Sequence, residues 1–403
     1  MPFPFPEDRS RYGFKPVKSK APRMGKRNWR SLGLSATTIA WMHATSCAAV
    51  ASDCSQSKEI ELRVGRMIVA GFFGKTTSDV GFQQILADLE NGTVGGVLVL
   101  GRNIGSQQDL QGIMKQIATC KCARPPFIAI DEEGGAIDRL GPDIGAEGTR
   151  SASDVARGSL ASAHAIYARL AEKVISFDFN VNLGPVVDLN RNPDNPVIGR
   201  LGRSYGSDVD TVVKYATAFI EEHRKRNIVT VLKHFPGHGS SPTDSHSEVA
   251  DVTSTWSPDE LSPFKHLIDA GLADAVMVGH LANSAKWGGV ATQSQANAIS
   301  QMLRKDLGFD GVVLTDDLAM KAVSDGSSST VAAAIEAVKA GADMILVGRL
   351  GDDDQTADVG AEVNRGVSSK VCTGEIDINA ITRSEGRIQR LSSRWKLWPS
   401  PPK

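Results

Sequence analysis

Eight short apolar runs, each followed by a longer amphipathic stretch, dominate this sequence from about residue 59 onward. Short runs rich in Val, Ile and Leu predict buried strands, and an apolar period near 3.6 residues predicts helices. The predicted strands are Met67–Phe72, Gly95–Leu100, Phe127–Asp131, Val181–Asp188, Ile228–His234, Ala275–His280, Gly311–Asp316 and Met344–Gly348. The predicted helices lie near residues 78–91, 106–119, 154–178, 208–226, 258–271, 293–307 and 328–341.

Strands that alternate with helices predict a parallel α/β protein, and the count of eight favours a single TIM-like (β/α)8 barrel. An open doubly wound sheet is the alternative, but no G-x-G-x-x-G motif follows the first strand. A C-terminal helix is predicted at about 376–395, and the segment 351–374 is predicted to be a polar connection. No second periodic block is present, so residues 56–400 are predicted to form one domain.

The first 55 residues are predicted to lie outside this domain. Residues 1–30 mix Pro, Arg and Lys without hydrophobic periodicity, and a weakly apolar stretch of small residues follows from about 32 to 51. A basic segment ahead of such a stretch, with Met24 close to its start, is typical of a signal peptide. We therefore predict a periplasmic or exported protein. A cytoplasmic protein with a disordered N-terminal extension is the alternative.

The composition excludes several classes of partner. The chain is 41% hydrophobic with a net charge of −1, which argues against nucleic acid or an anionic membrane as the main partner. No run of about 20 strongly apolar residues follows the N-terminal stretch, so no transmembrane span is predicted. Cys120-x-Cys122 is too tightly spaced for a zinc site, and the five cysteines are interpreted as structural or incidental.

Polar side chains stand where six consecutive predicted strands end. In a parallel barrel the carboxyl ends of all strands open on one face, and that face carries the active site. A single polar residue at a strand end has no special meaning, but a series on successive strands predicts an enzyme. The series consists of Asp131, Asp188, Lys233, His234, His280, Asp316, Asp317 and Arg349.

The fifth predicted strand runs directly into a loop of turn residues and ionisable groups, KHFPGHGSSPTDSH. Asp244 and His246 lie two residues apart in this loop, so the carboxylate could orient one ring nitrogen and leave the other to exchange protons. An Asx-turn followed by a surface histidine explains the same spacing. His234, His238, Asp244 and His246 could also bind a metal ion. Pro236 breaks the helix on which His-x3-His would bind a metal, so we expect none.

Two strand ends carry further candidates. Asp316 ends a strand of Val and Leu, either as a catalytic carboxylate or as the N-cap of the next helix, and the doublet with Asp317 leaves one carboxylate spare. Asp131 is expected to face the site, whereas Glu132 and Glu133 are interpreted as structural.

Two groups of cationic side chains could contact a ligand. Lys233 and His234 could hold sugar hydroxyls or an anion, because glycines nearby permit close backbone approach. In the Gly- and Arg-rich loop 195–206, either Arg200 or Arg203 could reach a substrate, or both could be solvated.

The pattern K-H-F-P-G-H-G, four residues, then D-S-H is long and specific. Through it the chain resembles glycoside hydrolase family 3, in the β-N-acetylglucosaminidase branch that acts on peptidoglycan fragments. The resemblance covers most of the chain, because further landmarks follow in the family's order: VGRMIVAGFFG, GGVLVLGRNIGS, AIDEEGGAIDRL, NLGPVVDLNRNP, GRSYG, LRKDLGFDGVVLTDDLAM and AGADMILVG.

The resemblance implies a retaining β-N-acetylhexosaminidase on a TIM-like barrel, without metal or cofactor. Asp316 would be the nucleophile, and His246, oriented by Asp244, would be the general acid/base. The −1 subsite for N-acetylglucosamine would be formed by Asp131, Arg139, Arg203, Lys233 and His234. An Asp131-Glu132 pair, which resembles that of substrate-assisted hexosaminidases, is a rival mechanism. We expect a monomer that acts on an N-acetylglucosamine-containing saccharide.

The sequence departs from the family pattern in two places. The loop GHLANSAKWGGVATQS lacks the proline-rich form of the corresponding family loop, which leaves the aglycone open. An exported chain would act on wall fragments or chitooligosaccharides, unlike a cytoplasmic enzyme of cell wall recycling. A phosphorylase with the same Asp-His pair is the close alternative. A metal-dependent amidohydrolase and a non-catalytic sugar-binding protein are more distant ones.

Overall fold

The computed structural model describes residues 57–244, 248–293, 297–320, 327–348 and 358–396. Eight parallel strands form a barrel in sequence order, and its closure between the last two strands consists of the bridge from Leu314 to Met344. The predicted (β/α)8 barrel is confirmed, and each strand lies within or overlaps its predicted run. The strands are β1 Ile68–Gly71, β2 Gly96–Val99, β3 Phe127–Ile130, β4 Val181–Asn182, β5 Val229–Phe235, β6 Ala275–Val278, β7 Val312–Thr315 and β8 Ile345–Val347.

Helices connect and cover these strands. A π-helix, Ala298–Asp306, stands where a helix is predicted near 293–307, and the helix predicted over 154–178 is divided into two. The predicted C-terminal helix is present as the last element. The α-helices of the described residues are α1 Ser57–Gly65, α2 Val80–Glu90, α3 Gln107–Ala118, α4 Ala152–Ala156, α5 Leu160–Ser176, α6 Val209–Arg224, α7 Ser262–Asp269, α8 Ser327–Ala340, α9 Val359–Cys372 and α10 Ile378–Arg394.

The barrel strands are buried on both faces, which explains why they occur as continuous apolar runs. Every residue of β2, β3, β6 and β7 is buried. Inside the barrel, side chains such as Val69, Ala129 and Val231 leave a residual cavity of only about 20 Å³. Since the interior is filled, polar chemistry is confined to the ends of the strands.

The prediction of a polar connection at 351–374 is wrong for residues 359–372, which form α9. Asp358 Oδ1 accepts a hydrogen bond from Ala361 N at 2.9 Å and caps the helix. Val363, Val367 and Val371 recur at intervals of four residues and are buried on the face that packs against α1 and α8. This face includes small and polar residues as well, so its amphipathic pattern is weak in the sequence.

Two small sheets extend beyond the carboxyl ends of the barrel strands. A hairpin of Glu132–Gly134 with Ile137–Asp138 follows β3. A three-stranded sheet joins the loops after β5 and β6, and an edge-to-face contact between Trp256 and Trp287, with ring centroids 5.3 Å apart, lies beside it. Its strands are Ala250–Asp251, Leu281–Asn283 and Gly289–Val290. Both sheets fix the loops that surround the barrel mouth.

Two sequence-based interpretations concern the rest of the chain. Cys120 and Cys122 form a disulfide with their Cα atoms 5.2 Å apart, so this pair is structural. In the part of the chain that the structure describes, no helix has the length and apolarity needed to cross a membrane. The predicted signal peptide in residues 1–55 lies outside the described residues.

A buried carboxylate ties the barrel closure to the C-terminal helix. Asp343, fully buried just before β8, accepts hydrogen bonds from Val313 N at 2.9 Å and from Ser384 Oγ at 2.9 Å. Its oxygens also lie 2.5 Å from Arg304 Nη2 and 3.1 Å from Arg387 Nη1. One side chain therefore joins β7, β8, the π-helix and α10.

Replacing Asp343 by Ala should lower the free energy of unfolding by about 3–5 kcal/mol, because the half-buried guanidinium groups of Arg304 and Arg387 lose a fully buried counter-charge. Asp310→Ala is the matched control, since Asp310 also binds Arg387 but is 73% exposed. We expect that control to cost less than about 1 kcal/mol. Urea unfolding at neutral pH measures both, and equal losses would contradict the closure role of Asp343.

Candidate active site

The carboxyl ends of the barrel strands surround a cavity of about 270 Å³. All five residues predicted to bind substrate line this cavity, together with Asp316. Apolar side chains, among them Ile137, Val197 and Leu201, complete its wall. The ionisable lining residues are Asp131, Glu133, Arg139, Arg203, Lys233, His234, His238, Asp316 and Asp317.

A buried lysine forms the charged floor of the cavity. Lys233 is 2% exposed, and its Nζ lies 2.7 Å from both Asp131 Oδ1 and Glu133 Oε1. Arg203 donates to Glu133 through Nε and Nη2, each at 2.8 Å. Burial lowers the pKa of Lys233, but the two carboxylates outweigh it and raise that pKa above its ordinary value. Burial raises the pKa of Glu133, yet the two cations bring it well below its ordinary value. Lys233 and Glu133 are therefore both charged at neutral pH.

The hairpin after β3 places Arg139 beside the cavity. Glu132 Oε2 accepts hydrogen bonds from Arg139 N at 2.7 Å and Leu140 N at 3.0 Å, and Lys173 Nζ lies 3.2 Å from Oε1. Burial raises the pKa of Glu132 to about 8. The Arg139 guanidinium lies 3.9 Å from Asp131 Oδ2, and its buried Nε has no hydrogen-bond acceptor within the described residues. Glu132 thus holds the backbone, while Arg139 can serve a ligand.

Asp188, fully buried behind the cavity, organises the start of the loop after β5. Its Oδ2 lies 2.7 Å from His234 Nδ1, and its Oδ1 accepts from His238 N at 2.7 Å. Burial raises the pKa of Asp188, but His234 and the hydrogen bonds lower it overall. Burial lowers the pKa of His238 to about 4, so this imidazole is neutral at pH 7. Because a carboxylate accepts, His234 donates through Nδ1.

Asp316 and Asp317 divide two roles after β7. Asp316 lines the cavity, donates its own N–H to Val278 O at 2.9 Å, and accepts from Asp317 N at Oδ1 at 2.8 Å. Asp317 Oδ1 accepts from Ala319 N at 2.9 Å and Gly348 N at 2.6 Å. A Cβ atom at position 348 would lie 2.2 Å from Asp317 Oδ2, so this approach requires glycine. Both carboxylates line the cavity, but Asp317 is buried and satisfies two backbone N–H groups, whereas Asp316 is the more exposed of the two.

The loop after β5 is firmly held where it begins. His238 O accepts from Asn195 Nδ2 at 2.8 Å, and Ser240 N donates to the buried Glu260 at 3.3 Å. Asp244 is half-buried and does not line the described part of the cavity. His246 lies outside the described residues. The predicted Asp244–His246 pair therefore stays a prediction.

Three residues that line the cavity are absent from the predicted substrate-binding and catalytic sets. Glu133 is interpreted as structural from the sequence, although its i, i+2 spacing from Asp131 places both on one face of an extended chain and could have identified it. His238 is considered there only as a metal ligand, and Asp317 only as a member of the strand-end series and of the doublet with Asp316. Arg349 lies outside the described residues. Over the described ranges, no group of three His, Cys, Asp or Glu side chains could hold a metal ion.

Comparison with known families identifies relatives over most of the chain. The family model for the glycosyl hydrolase family 3 N-terminal domain matches residues 60–391. A β-hexosaminidase of Photobacterium profundum is 31% identical over 317 residues, which are 76% of this chain and 93% of the relative. The β-hexosaminidase LpqI of Mycobacterium tuberculosis is 34% identical over 321 residues, which are 76% of this chain and 77% of the relative.

Solved structures give the same result. A glycoside hydrolase family 3 β-N-acetylglucosaminidase from Paenibacillus sp. has a TM-score of 0.73 at 30% identity, over 85% of this chain and 64% of the other. The structure of M. tuberculosis LpqI has a TM-score of 0.70 at 29% identity, over 85% of this chain and 94% of the other. The barrel fold is thus shared with a glycoside hydrolase family 3 β-N-acetylglucosaminidase and with LpqI.

Asp317→Asn should remove a pH dependence of stability. Burial raises the pKa of Asp317 to about 6. A carboxyl group with a raised folded-state pKa stabilises the fold fully below its unfolded pKa, and this contribution is lost as pH rises through about 6. The full loss is about 3 kcal/mol, so the variant should gain about that much over wild type between pH 4 and 7.

Urea unfolding across this pH range makes the measurement. The amide oxygen of Asn can still accept both backbone hydrogen bonds, and Asp310→Asn, at an exposed site, should follow wild type. Parallel curves for Asp317→Asn and wild type would rule out the raised pKa.

Proposed function

This chain belongs to glycosyl hydrolase family 3 and is a glycoside hydrolase, and from this premise we propose that it is an exo-acting β-N-acetylglucosaminidase. Its proposed substrates are peptidoglycan fragments or chitooligosaccharides with a terminal β-linked N-acetylglucosamine. The observation that carries the proposal is the meeting of Asp131, Lys233 and Asp316 in one cavity at the barrel mouth. The names of the relatives, β-hexosaminidase and β-N-acetylglucosaminidase, support the same chemistry.

Asp316 is the proposed nucleophile of a retaining mechanism. In the first step one of its carboxylate oxygens bonds to the anomeric carbon as the bond from that carbon to the leaving oxygen breaks. The transition state carries positive charge on the sugar, which the carboxylate stabilises. Asp316 is suited to this role because Asp317 serves the neighbouring backbone N–H groups.

His246, oriented by Asp244, is the proposed general acid/base. It gives a proton to the leaving oxygen in the first step and takes one from water in the second. The water oxygen then bonds to the anomeric carbon, Asp316 is released, and the configuration is retained. This assignment rests on the K-H-F-P-G-H-G and D-S-H pattern, and the anchoring of the loop by Asp188 supports it.

The rival Asp131-Glu132 mechanism is disfavoured. Substrate-assisted catalysis needs both carboxyl groups next to the sugar. Glu132 is fully buried, and its Oε2 binds the backbone N–H groups of Arg139 and Leu140. It does not line the described cavity.

Asp131, Arg139, Arg203, Lys233 and His234 are the proposed −1 subsite. Each lines the cavity, and together they offer acceptors and donors for sugar hydroxyls and the N-acetyl group. Phosphorolysis, the close alternative, would need cationic charge for a phosphate ion. Lys233 and Arg203 are already engaged by carboxylates, and the Arg139 guanidinium lies 3.9 Å from Asp131 Oδ2, so hydrolysis is the favoured reaction.

We propose that the protein is exported. The basic and apolar N-terminal stretch supports this location. The Cys120–Cys122 disulfide supports it independently, because disulfides persist in oxidising compartments.

Hydrolysis of a chromogenic N-acetyl-β-glucosaminide tests the catalytic assignment. Asp316→Ala should lose at least about a thousandfold in kcat. His246→Ala should cleave this activated substrate but release the sugar slowly, and intact mass should show an added N-acetylhexosamine. Near-normal turnover by Asp316→Ala would falsify the nucleophile assignment.

Two controls accompany this assay. Asp310→Ala, at an exposed site, should turn over like wild type. Added phosphate should neither stimulate turnover nor yield a sugar 1-phosphate, and either effect would establish a phosphorylase instead.

Cell fractionation tests export. The full chain made in a Gram-negative host should appear outside the cytoplasm, with Cys120 and Cys122 resistant to alkylation until reductant is added. A chain that lacks residues 1–51 should remain inside. Co-fractionation of the full chain with a cytoplasmic marker, with both thiols alkylated, would contradict the proposal.

A further inference from the structure

We propose that His280 is a positioning residue for Asp316, acting through the backbone of Asp317. The inference rests on the proposed role of Asp316 as nucleophile. The inference adds a buried hydrogen-bond network that orients the attacking carboxylate. His280 lies just after β6, where it is fully buried and does not line the described cavity.

The imidazole of His280 is fixed on two sides. Its Nε2 lies 2.9 Å from Asp317 O, and a carbonyl oxygen can only accept, so Nε2 is the donor. Its Nδ1 lies 3.0 Å from the hydroxyl of Thr292, which is also fully buried. A ring held at both nitrogens cannot rotate without the loss of a buried hydrogen bond.

Asp317 is in turn held at three atoms. Its carbonyl oxygen receives hydrogen bonds from His280 Nε2 at 2.9 Å and Met320 N at 3.0 Å, and its Oδ1 receives the N–H groups of Ala319 and Gly348. The one remaining backbone group, its N–H, donates to Asp316 Oδ1 at 2.8 Å. The direction of the Asp316 carboxylate therefore depends on how Asp317 is held, by His280 after β6 at its carbonyl oxygen and by Gly348 after β8 at its side chain.

This arrangement affects the reaction step rather than binding. Attack at the anomeric carbon needs an oxygen in line with the breaking bond, and a displacement of 1 Å costs about a hundredfold in rate. His280 does not line the described cavity, so its loss should leave the affinity for N-acetylglucosamine intact. A merely structural role would instead lower stability and weaken binding together.

The test compares His280→Gln with His280→Asn. Both side chains end in an amide, but the Gln amide nitrogen reaches the position of Nε2, whereas the Asn amide stops near Nδ1. We expect His280→Asn to lose about a hundredfold in kcat and His280→Gln to stay within about tenfold of wild type. The KM, and the inhibition constant of N-acetylglucosamine, should change less than about threefold in both.

Thr292→Val supplies a second variant in case His280→Asn does not fold. It keeps the Nε2 donor and removes only the support at Nδ1, so kcat should fall about tenfold with KM unchanged. Single-turnover release of the chromogenic group shows whether the lost rate belongs to the first chemical step, as the proposal requires.

Parallel assay of Asp316→Ala separates two failures. An inactive Asp316→Ala with normal kcat in His280→Asn and Thr292→Val overturns this inference alone. Equal damage in the Gln and Asn variants, with loss of N-acetylglucosamine binding, also overturns it. An active Asp316→Ala overturns the proposed nucleophile and this inference together.

Discussion

The buried ammonium group of Lys233 requires negative charge close by, and the rest of the site is arranged around this requirement. An isolated buried cation would lose its proton or unfold the site, and only close carboxylates make its charge stable. Asp131 and Glu133, which follow β3, supply these carboxylates, and each places an oxygen 2.7 Å from Lys233 Nζ. Glu133 then requires Arg203, which fixes the loop after β4. The need for charge balance thus links the segment after β3, the loop after β4 and strand β5 on one side of the cavity.

The two sides of the proposed reaction are built differently. The Asp316 side consists of strand ends, tightly hydrogen-bonded backbone and a buried histidine, which suits a group that must attack in a fixed direction. The Asp244 side is a loop that is held at its first residues by Asp188 and Glu260. The end of a strand carries the proposed nucleophile, and a loop carries the proposed acid/base, whose partner, the leaving oxygen, differs among substrates.

Much of the fold follows from local pattern, whereas much of the site does not. Buried parallel strands are continuous apolar runs, so all eight could be located from sequence, and their ends pointed to the cavity. Helix α9 was hidden because its buried face mixes Val with small and polar residues. The roles of Glu133 and Asp188 depend on partners 46 or more residues away along the chain, and no local spacing reports such pairs. The K-H-F-P-G-H-G pattern carried information about chemistry that periodicity lacks.

The carboxylate of Asp343 has a consequence for synthesis of the chain. Two of its partners, Ser384 and Arg387, belong to α10, which is made after every barrel strand. While the ribosome still holds α10, β7 and β8 can meet, but this buried charge has only Arg304 as a cationic neighbour. Until α10 emerges, Asp343 therefore lacks its bonds to Ser384 and Arg387, and the junction of β7 and β8 is less stable than in the complete domain.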